Sequence, residues 1–308
     1  MIAAFVFPKW LNTLLNIRTQ LVEPPNEFIF ELTRHILDKR RKGEKNNDFL
    51  QLLIDANASD VNNNQDLSAD KKESLHFNED EDEIMAQKKT FSLNFANKTL
   101  SEDEIMAQAW VFLLAGFETT ATTLGYISYE LALNSDIQEK LYAEVAEAFD
   151  SDDEISYESL QRLPYLDAVV SETLRKYPAI TRLEREAGKD MKLGDTGIKL
   201  FKGQMVEIPV YAIHHSEKYY KNADQFIPDR FLAENRKNLV PYTYMPFGTG
   251  PRNCIGMRFA LMEVKLCIAH IVKRFRFMKC AETEIPLQFM NLTPLLTSKS
   301  ISLNIEKR

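Results

Sequence analysis

Three cysteines, Cys254, Cys267 and Cys280, are all that the 308 residues hold. Their number is odd and no C-x-x-C spacing occurs, so a disulfide framework is not expected and a reducing compartment fits best. Positive charge is also in deficit. Lys and Arg total 38 against 45 Asp and Glu, a formal net charge of −7, which argues against nucleic acid as a partner. No run reaches the roughly 18 apolar residues of a transmembrane helix. The N-terminus, Met1-Ile-Ala-Ala-Phe-Val-Phe-Pro8, is short and has no basic leader, so no signal peptide is read there. What remains is 44% hydrophobic and 27% charged. That suits a globular protein with a sizeable core, in one or two domains of about 100–200 residues each.

Residues 247–256 stand out: Phe247-Gly-Thr-Gly250-Pro-Arg252-Asn-Cys254-Ile-Gly256. One cysteine lies in a loop with three glycines, a proline and an arginine, directly before a helix-like apolar run from Met257 to Phe275. Near a helix N-terminus, unpaired backbone N–H groups and the dipole favour thiolate over thiol. Glycines let backbone close tightly around a large flat ligand, and Arg252 can give a forked hydrogen bond to a carboxylate at that ligand's edge. A lone cysteine is more often a buried free thiol. No Gly-Lys-Ser/Thr follows, and the glycine spacing is not a dinucleotide fingerprint. With Phe247, Gly250, Arg252, Cys254 and Gly256 together, the segment resembles the haem-binding loop of the cytochrome P450 family, the haem-thiolate monooxygenases.

Three further elements follow that family's order. Ala115-Gly116-Phe117-Glu118-Thr119-Thr120 resembles the oxygen-binding stretch of its long central helix, Glu172-Thr-Leu-Arg175 its Glu-x-x-Arg helix, and Pro228-Asp229-Arg230-Phe231 the segment that supplies a second arginine. Each is weak alone, since an acid and an arginine three apart are common on helix surfaces. Together they carry the resemblance along the chain.

The resemblance implies a mainly α fold with small β-sheets, the cytochrome P450 fold, over residues 1–308, and a haem (iron protoporphyrin) with Cys254 as axial ligand. Phe247, Gly250, Arg252, Gly256 and Ala115 would contact the cofactor, and Arg185 would bind a propionate beside Arg252. Thr119 would guide protons to dioxygen, with Glu118 relaying them from solvent, while Gly116 and the threonines let the helix open locally. Glu172, Arg175 and Arg230 would form a buried architectural triad. Phe112, Phe117, Ile180, Thr181 and Leu295 would meet a lipophilic small-molecule substrate. Electrons would come from an NADPH-dependent reductase on the Cys254 side.

The segments around 182–185 and 241–262 look most like the microsomal drug-metabolising subfamily and its invertebrate relatives. That implies the cytosolic face of the endoplasmic reticulum membrane. Family members are longer, so the chain is expected to begin inside the fold, without anchor or early helices, and as given to have little activity. The motifs fit equally an incompetent relative kept as a scaffold, or an incomplete gene model. Phe5 to Leu15 resembles a region that dips toward the membrane; a core helix exposed by the early start is the other reading of it.

Along the chain, helices are expected over 26–41, 48–56 with Asp48 as cap, 102–133, from Ser135 or Asp136 to Phe149, 165–177 and 257–275. A Ser101…Glu104 capping box opens the long helix. Strand is expected over Met191–Val210 with two turns, and a C-terminal hairpin from Leu287–Phe289 and Ser300–Ile305. Residues 57–98, rich in Asn, Asp, Ser, Lys and Glu, read as a disordered insert. Glu81-Asp-Glu-Ile-Met-Ala-Gln87 recurs at Glu102–Gln108, a duplicated helix start.

Overall fold

The computed structural model describes residues 24–58, 100–291 and 295–308. The apolar stretch at 5–15, the first copy of the repeat and the insert beyond residue 58 lie outside them. The described chain divides into two compact units, one of residues 24–58 and 100–115, the other from 116 onward.

In the first unit, α1 (Pro24–Arg41) and α2 (Phe49–Ala58) pack with the start of α3 (Glu102–Leu133). Leu37, Ile105 and Met106 are buried together, with Phe30, Leu50, Leu53 and Ile54 around them. The basic last turn of α1, Lys39-Arg40-Arg41, complements its dipole. Asp48 caps α2 as expected: its Oδ1 accepts the Gln51 N–H at 2.9 Å. That bond, and then Arg40, hold its carboxyl below the usual range. The capping box is also present. The Ser101 N–H donates to Glu104 Oε2 at 2.7 Å and the Glu104 N–H to Ser101 Oγ at 3.2 Å.

The second unit holds the rest of α3, then α4 (Ser135–Glu147), α5 (Tyr157–Gln161) and α6 (Pro164–Lys176). After these come β1 (Leu183–Glu186), β2 (Met191–Lys192), β3 (Lys199–Leu200), β4 (Met205–Ile208) and α7 (Val210–His214). Last are α8 (Met257–Arg274), β5 (Phe275–Lys279) and β6 (Leu303–Lys307). Its main core gathers Ile127 and Leu131 of α3, Leu141 and Val145 of α4, and Leu166, Val169 and Val170 of α6 against Val264, Ile268 and Val272 of α8. The sheets are antiparallel pairs, β1 with β4, β2 with β3 and β5 with β6. The fold is mainly α with small sheets.

Several expected boundaries move, each for a local reason. Asn134, not Ser135 or Asp136, opens α4. Its N–H and its side-chain amide both donate to Glu130 O, closing α3, while its carbonyl accepts the Gln138 N–H. The strand expected to reach Val210 stops at Ile208, because Pro209 is the N-cap of α7. Leu287–Phe289 does not pair with 300–305. Phe289 bridges Ser298, and the last strand pairs with β5 in the register Phe277↔Ile305. The fully buried Gln138 explains that choice. Its Oε1 accepts the Phe277 N–H at 2.8 Å and its Nε2 donates to Phe277 O at 3.0 Å, so one edge of β5 is taken and β6 completes the other. Finally, α3 has the expected bounds, Glu102–Leu133.

Candidate functional site

The loop before α8 is built from backbone hydrogen bonds. Gly248 and Gly250 both stand at φ 74°, a left-handed conformation that side chains disfavour. The Gly248 N–H donates to Met245 O at 3.1 Å, the Cys254 N–H to Phe247 O at 2.8 Å, and the Met257 N–H to Cys254 O at 3.4 Å. Gly256 is the N-cap of α8, so Cys254 sits two residues before the N-cap rather than at the first helical position. The Cys254 side chain is exposed, as is Arg252. Beside the thiol, Ile255 is 86% and Phe259 65% exposed. Apart from the adjoining chain itself, no atom of the described residues lies within 4 Å of where a Cβ would stand on Gly116, Gly250 or Gly256. A soft ligand atom amid exposed apolar side chains, with bare glycine backbone and an arginine nearby, fits a large flat apolar group carrying an anionic edge.

Below the loop, Glu172 and Arg175 of α6 are completely buried. Arg175 Nε donates to Glu172 Oε2 at 2.8 Å and Nη2 to Oε1 at 2.9 Å, a fork matched to the carboxylate plane. Its remaining donors reach the carbonyls of His214, Ala223 and Gln225. Glu172 Oε1 also accepts from the Ile227 N–H at 2.9 Å and from Arg230 Nε at 3.3 Å. Two chain segments, α6 and residues 227–230, meet at one carboxylate. Nothing charged is left unpaired there, which is the condition for burying such a group.

His214, the last residue of α7, is buried between this node and the loop. Burial, offset in part by the Arg175 carbonyl and reinforced by the Arg175 and His215 charges, pushes its pKa down to about 3. Of the titratable rings against it, Tyr244 is stacked and Tyr220 edge-on. The folded state therefore keeps His214 neutral, while in the unfolded chain it protonates below its ordinary value of 6.5. Its contribution to stability is full above that value and declines as pH falls toward 3, by at most about 1.4 kcal/mol per pH unit. Denaturant unfolding of the parent chain and of His214→Gln checks this: the parent should lose more stability than the variant between about pH 7 and pH 5.

On α3, Thr119 is half-buried, Glu118 is exposed and Phe117 is 75% exposed. The threonines that bond back along the helix are Thr122, to Glu118 O at 2.6 Å, and Thr123, to Thr119 O at 2.8 Å. Ala115 and Phe112 belong to the first unit, where Phe112 stacks on Phe49 with ring centroids 4.0 Å apart. In the second unit, Ile180 and Leu295 face each other across an antiparallel bridge, and the Tyr211 N–H donates to Thr181 O at 2.9 Å. Arg185 lies on β1, opposite Val206, with Nη1 donating to Glu184 O. Leu183, on the same face of that strand, comes within 3.9 Å of a Cβ built on Gly248, so β1 lies beside the cysteine loop.

A family model described as Cytochrome P450 matches residues 18–305. The chain belongs to the cytochrome P450 family. Human cytochrome P450 3A7 is 44% identical over 212 residues, 69% of this chain and 42% of that protein. Rat cytochrome P450 3A2 is 38% identical over 282 residues, 92% of this chain and 49% of that protein. Guinea pig cytochrome P450 3A14 is 40% identical over 242 residues, 79% and 47%. The chain thus spans just under half the length of these relatives. The cofactor of cytochrome P450 proteins is haem held by a cysteine thiolate, and the donor set of the loop suits it. Among the described residues, no helix is long and apolar enough to cross a membrane, and no three His, Cys, Asp or Glu side chains gather as a metal site.

The residues that sequence reasoning missed are the buried connectors. Glu130, buried in α3, accepts from Lys176 Nζ at 2.9 Å and from the Tyr177 hydroxyl at 2.5 Å. An acid in the apolar run Tyr126-Ile-Ser-Tyr-Glu130-Leu-Ala-Leu was the available signal. For His214, preceding a half-buried His215, the sequence carried no such signal.

Proposed function

We propose that the chain is the part of a cytochrome P450 monooxygenase that carries the thiolate loop. The complete enzyme inserts one oxygen atom of O2 into a lipophilic small molecule. Cys254 would hold the haem iron through its thiolate, and the observation that carries this is its exposed side chain on a loop closed by the Cys254–Phe247 backbone bond. Haem held by a thiolate supplies the reductive activation of dioxygen. Arg252 and Arg185 offer charge-assisted hydrogen bonds to the cofactor's carboxylates. Phe247, Gly250 and Gly256 lend backbone and apolar surface. Glu172, Arg175 and Arg230 hold the segments beneath the loop in place.

Thr119 hands a proton inward and exposed Glu118 replenishes it from water. The bridged pair Ile180 and Leu295, with Thr181 and Phe117, offers mostly apolar contacts to the substrate. An NADPH-dependent reductase supplies electrons, and the protein works at the cytosolic face of the endoplasmic reticulum membrane. The cytochrome P450 3A relatives support that assignment.

The ferrous–CO difference spectrum of the haem-reconstituted protein is the test. A thiolate-type band supports the proposal; its absence at full haem content ends it. In the full-length enzyme, Thr119→Ala should keep haem and spectrum while most reducing equivalents leave as hydrogen peroxide. Product formed per NADPH should fall about 10-fold or more, within the range for a lost proton donor. Coupling equal to the parent enzyme's would remove Thr119 from the proton path.

A further inference from the structure

We propose that His214 is a positioning residue for the thiolate loop, fixing where the loop begins by holding the backbone N–H of Met245. The inference deepens the proposed function and rests on it for the ligand role of Cys254. His214 Nε2 lies 3.0 Å from Met245 N, and Nδ1 lies 3.0 Å from Arg175 O. The Met245 amide can only donate, so Nε2 accepts and the single ring proton sits on Nδ1, facing the Arg175 carbonyl. Both ring nitrogens are used. The tautomer is set by backbone groups, which do not change charge. The ring is clamped as well, stacked on Tyr244 with centroids 5.7 Å apart and met edge-on by Tyr220 at 6.4 Å.

Met245 is where the chain enters the loop. Its carbonyl accepts the Gly248 N–H, and two residues on, Phe247 O accepts the Cys254 N–H. From the imidazole to the cysteine the linkage is backbone only. At the other end, Arg175 Nη1 donates to His214 O at 2.7 Å, so each side chain holds the other residue's backbone carbonyl. The Glu172–Arg175 node and the cysteine loop are thus joined by one neutral side chain. Met245 is itself buried, so its N–H has no recourse to water if the imidazole is removed, and the loop must shift to find another acceptor.

His214→Asn and His214→Gln separate the two bonds. Asparagine can still reach the Arg175 carbonyl but is too short for Met245; glutamine can span both. Hydrogen exchange of the 245–254 amides, measured without haem, should be about tenfold or more faster in His214→Asn and near parental in His214→Gln, with α8 unchanged in both. At matched haem content, the thiolate-type fraction of the ferrous–CO spectrum should fall in His214→Asn and recover in His214→Gln. Exchange at 245–254 that stays parental in His214→Asn overturns the proposal. So does faster exchange spread evenly over α6 and α8, which marks general loosening only. If His214→Asn does not fold, His214→Gln decides alone: parental exchange and spectrum support the proposal, and their loss overturns it. Should the parent chain itself lack a thiolate-type spectrum, the proposed function fails, while the exchange measurement still decides the role of His214.

Discussion

Glu172→Ala is expected to cost about 3–5 kcal/mol, the penalty for stranding a buried charge. That is a large share of the roughly 5–15 kcal/mol that holds a domain folded. Two guanidiniums lose their counter-charge at once, and the Ile227 N–H loses its acceptor. Glu172→Gln keeps the volume and one acceptor and should cost less. Removing both ends of the pair, as in Glu172→Leu with Arg175→Leu, should not restore stability, because Arg175 also satisfies the carbonyls of His214, Ala223 and Gln225. Denaturant midpoints followed by circular dichroism measure all three. A loss below about 1 kcal/mol for Glu172→Ala, the scale of an exposed ion pair, would show that the node is looser than its distances imply.

Cys254→Ser should give the opposite profile, with no change in fold and complete loss of the spectral signature. Two backbone bonds shape the loop at this residue, Cys254 N–H to Phe247 O and Met257 N–H to Cys254 O, and serine keeps both. The side chain is exposed, so the stability change should stay within about 0.5 kcal/mol. Oxygen in place of sulfur removes the thiolate, and with it the electron donation that marks this kind of haem site. The ferrous–CO spectrum of the variant, at haem content matched to the parent, should show no thiolate-type band. A retained band would place the ligand elsewhere, with Cys267 and Cys280 the remaining thiols.

What could be read from the sequence was whatever depends on neighbours. Asp48 and Ser101 announced helix starts because a cap acts within three residues. The 247–256 loop announced its chemistry because a ligand, its glycines and an arginine are contiguous. Glu172 and Arg175 could be paired on paper, being one turn apart on α6. The misses are contacts between residues far apart in the chain. The last strand took β5 as partner because Gln138, in a different helix, occupies the other edge. His214 matters because Met245 lies against it, and no periodicity encodes that meeting. Asn134 was passed over because it closes one helix and opens the next, a double duty that a one-helix rule does not anticipate.

The pairing of β5 with β6 carries a consequence for the order of events during synthesis. The ribosome delivers β5 directly after α8, while α4 and Gln138 are already available to bind one edge of it. Its other edge must wait until residues 303–307 emerge. In that interval a strand edge with Phe275 and Met278 stands open beside nearly finished helices, the arrangement that recruits a second nascent chain or a chaperone. Emergence of residues 303–307, rather than assembly of the helices, then sets the moment at which this edge is safe from its neighbours.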